Sequence, residues 1–148
     1  MKICVDTTIL LDILKDEFRV FQEKLYTALM RREDLIIPPV VYAELMPQFK
    51  GDIDLLAQFL KEHKIAIEPL CLNSAISAAR AWMTYLKRKT KLKCPECGHQ
   101  LLLREHFLSD FTIGGFALAK CDAILTRDRG IYAKYFPELA GYENCLVD

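Results

Sequence analysis

Four short apolar runs, Ile3-Cys4-Val5, Leu35-Ile36-Ile37, Ile65-Ala66-Ile67 and Ala123-Ile124-Leu125, alternate with longer segments whose apolar residues recur at helical spacing. A strand needs only a few residues and a helix about ten, so length and period separate the two kinds of segment. Strands that alternate with helices favour an α/β layer arrangement around a mainly parallel sheet. In such sheets ligand sites gather beyond the carboxyl ends of the strands. Asp6 and Asp128 fall at such ends.

Behind Asp6, the spacing of Ile9, Leu10, Ile13 and Leu14 predicts a helix capped by Thr7 or Thr8. A second helix is predicted from about 17 to 32, with Phe18, Phe21, Leu25, Ala28 and Leu29 as its buried stripe. Pro38 and Pro39 reset the chain, and 40 to 46 fits one or two helical turns that carry Glu44 and end near Pro47. Ile53, Leu56, Phe59 and Leu60 mark a further helix, and a long one runs from about 72 to 87 with Trp82 and Tyr85 on its inner face. Residues 88 to 106 break the pattern and read as an inserted loop or hairpin. A helix beginning near Ser109 or Asp110, a short helix over 131 to 136 and an edge strand at 145 to 147 complete the order.

At 148 residues, 52% of them hydrophobic, one domain over 1–148 with a substantial core is expected. Its 20 basic and 20 acidic side chains cancel, so a polyanion would have to be held by a local patch or by bound cations. No apolar run approaches the roughly 20 residues that cross a bilayer. Met1 to Asp6 reads directly into structure, so a cytoplasmic protein is expected, with no membrane partner. Cys4, Cys71, Cys121 and Cys145 each lie singly in apolar surroundings, as small buried hydrophobes do, which argues against a disulfide framework.

Asp6, Glu44, Asp110 and Asp128 stand beside short apolar segments or helix starts where packing needs no charge. Carboxylates that converge from distant segments repel one another, and gathering them is explained by hard divalent cations. Taken singly, each has a plainer role: Asp6 and Asp110 can cap helices and Asp128 can make a turn. Glu44 is harder to assign this way, because it sits among Val40, Val41, Ala43 and Leu45. Asp12, Asp16 and Asp122 are expected as solvated helix-face or turn residues.

Four stretches carry a resemblance that covers nearly the whole chain. They are Val5-Asp6-Thr7-Thr8-Ile9-Leu10-Leu11-Asp12, Val41-Tyr42-Ala43-Glu44-Leu45, Leu108-Ser109-Asp110-Phe111-Thr112-Ile113-Gly114 and Ile124-Leu125-Thr126-Arg127-Asp128-Arg129-Gly130-Ile131-Tyr132. In that order they resemble the PIN-domain nucleases and, within them, the VapC-type toxin ribonucleases. Thr8 stands where that family usually has Asn. The resemblance implies a three-layer α/β/α domain and an RNA endonuclease that uses Mg²⁺ or Mn²⁺. It also implies a homodimer and, for a toxin, inhibition by a cognate antitoxin. Asp6 and Asp128 would then be the principal metal ligands, Asp110 would complete the acidic cup, and Glu44 would bind a second cation or orient water. Thr126 and Thr7 would position a carboxylate or the scissile phosphate.

Cys94-x-x-Cys97 has the spacing with which two thiolates on a tight turn grip one tetrahedral Zn²⁺, with His99 and His106 or a second chain's pair at the other corners. A reduced surface pair or a reversible disulfide is the alternative. Lys89, Lys91 and Lys93 beside it, and Arg127 and Arg129 near the late aspartate, can contact RNA phosphates or pair with surface carboxylates. Two other functions fit the same residues: an RNA-processing PIN nuclease of the ribosomal RNA maturation type, and a non-catalytic RNA- or protein-binding module.

Overall fold

The computed structural model describes residues 1–91, 94–99 and 107–142. Strand β1 (Lys2–Val5) leads through Asp6 into α1 (Thr7–Lys15). The Asp6 backbone is extended, with φ −74° and ψ 152°, and its carboxylate accepts the Thr7 N–H, so it starts that helix. Asp16 ends the helix in the left-handed region at φ 51°. Helix α2 begins only at Arg19 and runs to Met30, because Phe18 takes φ 49° and cannot join it. Phe18 is therefore 53% exposed and not part of the buried stripe expected of it, whereas Leu25 and Ala28 are buried.

Strand β2 (Asp34–Ile37) is followed by α3 (Pro39–Leu45), with Pro39 in its first turn, where an N–H has no helical partner to lose. A 3₁₀ turn over Met46–Phe49 precedes α4 (Ile53–Glu62), whose cap Asp52 accepts the N–H groups of Asp54 and Leu55. Strand β3 (Ile65–Ile67) leads to α5 (Leu72–Lys91), which runs past the expected end near 87 and absorbs the start of the expected insertion. Helix α6 (Leu108–Lys120), β4 (Ala123–Leu125), α7 (Arg129–Tyr135) and β5 (Ala140–Gly141) close the described chain. The edge position beside β4 is held by β5, while the expected strand at 145 to 147, with Cys145, lies outside the described residues.

All pairings in the sheet are parallel, in the order β3-β2-β1-β4-β5. The connections run outward one way from β1 to β3 and the other way from β4 to β5. The order thus reverses between β1 and β4, and their carboxyl ends open a crevice there. This confirms the expected α/β fold with a parallel central sheet.

Helices α5 and α6 make the most extensive helix pair. Phe111 anchors it, with ring centroids 5.2 Å from Trp82 and 5.3 Å from both Tyr85 and Tyr135. The close approach depends on Gly115: a Cβ there would lie 2.4 Å from the Ser74 carbonyl oxygen and 2.6 Å from the Ala78 nitrogen. Those neighbours are backbone and cannot swing aside. Gly115→Ala should therefore destabilise the protein by about 1–3 kcal/mol despite alanine's better helix propensity. Urea denaturation of the two proteins measures the difference, and equal midpoints would contradict the packing described.

Candidate active site at the carboxyl edge of the sheet

Asp6 sits at the mouth of the crevice, where its N–H continues the ladder to the Leu125 carbonyl at 3.0 Å. Its side chain is only 3% exposed, so the charge needs partners. Oδ1 accepts the Thr7 N–H at 2.8 Å. Oδ2 accepts the hydroxyls of Thr126 at 2.6 Å and Thr8 at 3.0 Å.

Both hydroxyls serve twice. Thr126 Oγ1 also accepts the Asp128 N–H at 3.0 Å, and Thr8 Oγ1 accepts the Arg127 N–H at 3.3 Å. The turns after β1 and β4 are thereby tied together through one carboxylate. Thr8, absent from the expected site, belongs to it. Its position two residues after Asp6 is the local signal, since a short hydroxyl side chain there can reach back to the carboxylate.

Glu44 enters from α3. Helical period turns Val41 and Leu45 inward and leaves Glu44 exposed, so the expectation of a charge held among apolar neighbours does not hold. Its Oε1 accepts the Thr7 hydroxyl at 3.0 Å, which brings it to the same cup as Asp6. Asp110 arrives from the first turn of α6, where its Oδ2 accepts the Phe107 N–H at 3.1 Å. It therefore fills the plainer capping role while its charge acts on both Asp6 and Glu44.

Asp128 occupies the cap position of α7 with φ −93° and ψ 78°, and its side chain does not cap that helix. Its charge is felt, with those of Asp6 and Asp110, at the Tyr132 hydroxyl. That hydroxyl is buried and has no hydrogen-bond partner among the described residues.

Burial pushes the Asp6 carboxyl above its ordinary value of 3.8. The hydroxyls of Thr126 and Thr8 pull it down, Asp110 pushes it up again, and the Thr7 N–H lowers it. Partial enclosure likewise raises Glu44 above 4.5, opposed by the Thr7 hydroxyl and reinforced by Asp6 and Asp110. Burial, reinforced by the Asp6, Asp110 and Asp128 carboxylates, drives Tyr132 well above 10.0.

Oxygen donors that repel one another suit a hard dication. Among the described residues no group of three or more His, Cys, Asp or Glu side chains is drawn together tightly enough to hold one ion. A hydrated Mg²⁺ needs only one or two carboxylates in direct contact, so the donor chemistry of this cup fits it.

Asp12, expected on a solvated face, is 1% exposed instead. It lies three residues beyond the buried Ile9 on the inward side of α1, and that spacing was the available signal. Arg127 satisfies it, donating from Nε to Oδ2 at 3.0 Å while its guanidinium covers the Phe18 ring at 4.0 Å. Arg127 is thus engaged within the chain, and Arg129 lies exposed at the rim of a cavity of about 310 Å³ lined also by Thr126 and Tyr132. Lys89 lies on α5 and Cys94, Cys97 and His99 in a separate turn. The Lys91 side chain, Lys93 and His106 are outside the described residues.

Asp6, Glu44 and Asp110, linked by their mutual charge effects at the reversal point of a parallel sheet, define an α/β protein with an acidic cup. The chain belongs to the PIN domain family, which matches residues 3–137. No curated protein sequence matches significantly. Among solved structures, a chain of VapBC-1 from nontypeable Haemophilus influenzae is 16% identical with a TM-score of 0.68, over 95% of this chain and 96% of that one. A chain of VapBC2 from Rickettsia felis, bound to a DNA fragment from its promoter, is 17% identical with a TM-score of 0.63 over 95% and 96%. At these identities the likeness is one of fold.

Raised carboxyl pKa values mean that the folded chain holds protons which the unfolded chain releases at the same pH. Stability should therefore fall as pH rises through the window above 4.5, the ordinary value of Glu44. Glu44→Gln, which keeps an acceptor for Thr7, should flatten that slope and raise stability at neutral pH in the presence of chelator. Urea titrations across the pH series test this, and an unchanged slope would contradict the electrostatics described.

Proposed function

We propose that this protein is a divalent-metal-dependent endoribonuclease that hydrolyses RNA phosphodiesters at the acidic cup and acts as the toxin of a toxin-antitoxin pair. The observation that carries the reading is the Asp6 carboxylate, buried at the sheet's switch point, oriented by three donors and faced by the charges of Asp110 and Glu44. Membership of the PIN family, whose members are generally nucleases, supports the reaction class. The similarity in fold to chains of VapBC complexes supports a protein antitoxin as partner. The proposal includes a homodimer acting in the cytoplasm. Among the described residues no helix is long and apolar enough to cross a membrane.

Asp6 and Asp128 would hold the principal Mg²⁺ or Mn²⁺, with Asp110 and Glu44 available to a second. When bound, the ion supplies a water acidic enough to attack and positive charge for the phosphate oxygens. The chain's own residues do the rest. Thr126 and Thr8 hold Oδ2 of Asp6 in one orientation, and the Thr7 hydroxyl does the same for Glu44. Exposed and held by the Thr7 hydroxyl, Glu44 is alternatively suited to orient the attacking water. Arg129 at the rim offers a cation for a neighbouring phosphate.

Purified protein should cleave RNA in Mg²⁺ or Mn²⁺ and stop on chelation. Asp6→Asn and Asp128→Asn should each lower the rate by roughly 100-fold or more, beyond what loss of a supporting contact costs. Circular dichroism should show both variants folded. Intact RNA across a panel of substrates and both metals, or full activity in either variant, would overturn the reading. Binding of the chain to the product of a small neighbouring reading frame, with loss of cleavage in the complex, tests the toxin assignment.

A further inference from the structure

The turn Cys94-Pro95-Glu96-Cys97-Gly98-His99 takes no part in the chemistry proposed above. It folds on itself: the Cys94 N–H reaches the His99 carbonyl at 2.6 Å, and the Gly98 N–H reaches the Cys94 carbonyl at 2.9 Å. Gly98 takes φ 70°, a conformation that a side chain would strain, and this lets the chain return after Cys97. Both thiols are unpaired by disulfide, Cys94 partly exposed and Cys97 exposed. By contrast Cys4 is buried, as an inert core cysteine is.

The Cys94 sulfur is faced by the backbone N–H groups of Cys97 and Glu96 and by the Cys97 thiol. N–H groups aimed at a sulfur favour the thiolate, which is the form that binds metal. Two thiol groups on one turn of backbone, which contains Pro95 and is closed by the two hydrogen bonds, are in contact with each other and so can meet one ion. Soft sulfur donors select Zn²⁺-class ions over the Mg²⁺ that suits the acidic cup.

We propose that Cys94 and Cys97 form a two-thiolate grip for one tetrahedral Zn²⁺-class ion, separate from the acidic cup and independent of the nuclease reading. The pair supplies two of four corners. The others come from elsewhere in the chain or from the same pair of a second copy, and stoichiometry tells these apart.

The test is metal content of the full chain, purified under reducing conditions without added metal, followed by exchange of the bound ion for Co²⁺. One zinc per chain supports completion within the chain, and one per two chains supports a shared site. In either case Co²⁺ should produce intense thiolate-to-metal charge-transfer bands. Cys94→Ser and Cys97→Ser should each reduce the metal content to background and abolish those bands, while Asp6→Asn should leave both intact. Because the turn is exposed, the serine variants should retain their far-ultraviolet circular dichroism. A chain that holds no zinc and gives no thiolate band with Co²⁺ would overturn the proposal, including one whose pair merely cycles between dithiol and disulfide. Metal that persists in the Cys94→Ser, Cys97→Ser double variant would overturn it equally.

Discussion

The Asp6 carboxylate organises the rest of this molecule. It is almost fully buried at the reversal point of the sheet, where an unpartnered charge would cost several kcal/mol. Three donors meet that cost in part, and they come from two turns more than a hundred residues apart in sequence. Each threonine hydroxyl donates to Asp6 and accepts an N–H from the turn after β4, so neither has a spare role. What remains uncompensated is the repulsion from Asp110, which together with burial keeps the carboxyl raised. A site with residual negative potential after its hydrogen bonds are satisfied is one prepared for a cation.

Structural roles coincide with the proposed catalytic ones in these acids. Asp6 starts α1 and Asp110 accepts an N–H at the start of α6, so a capping explanation is correct for each and yet incomplete. Caps sit at helix N-termini, and in a parallel α/β sheet a helix that follows a strand, as α1 follows β1, starts at the ligand edge, as does one that runs back antiparallel into the next strand, as α6 runs into β4. The same backbone positions that need acceptors therefore deliver carboxylates to one place. Glu44 differs, since it is not a cap and is directed by the outward face of a short helix.

A second anchor steadies the cup from behind. Arg127 follows Thr126, pairs with the buried Asp12 of α1 and lies over Phe18, whose left-handed backbone keeps its ring outside the core. The turn after β4 is thus held on both sides, by Thr126 to Asp6 and by Arg127 to Asp12. The sulfur-bearing turn offers soft donors where the cup has hard ones, so one chain carries two chemically distinct kinds of donor.

The amino-acid order alone determined most of the strand and helix succession, though not β5, and the parallel α/β class, and it singled out four acids as candidates, because apolar period and short capping side chains act over a few residues. It misplaced what depends on distant partners. Phe18 reads as core by spacing, but its backbone conformation excludes it from α2. Asp12 reads as solvated until Arg127 is brought to it from 115 residues away. Glu44 reads as buried because its neighbours in sequence are apolar, yet Val41 and Leu45 turn away from it on the helix. Only the tertiary structure decided that Thr8 and Thr126 share one oxygen of Asp6. Hydrogen bonds across a sheet's switch point join residues whose sequences carry no periodic signal of one another.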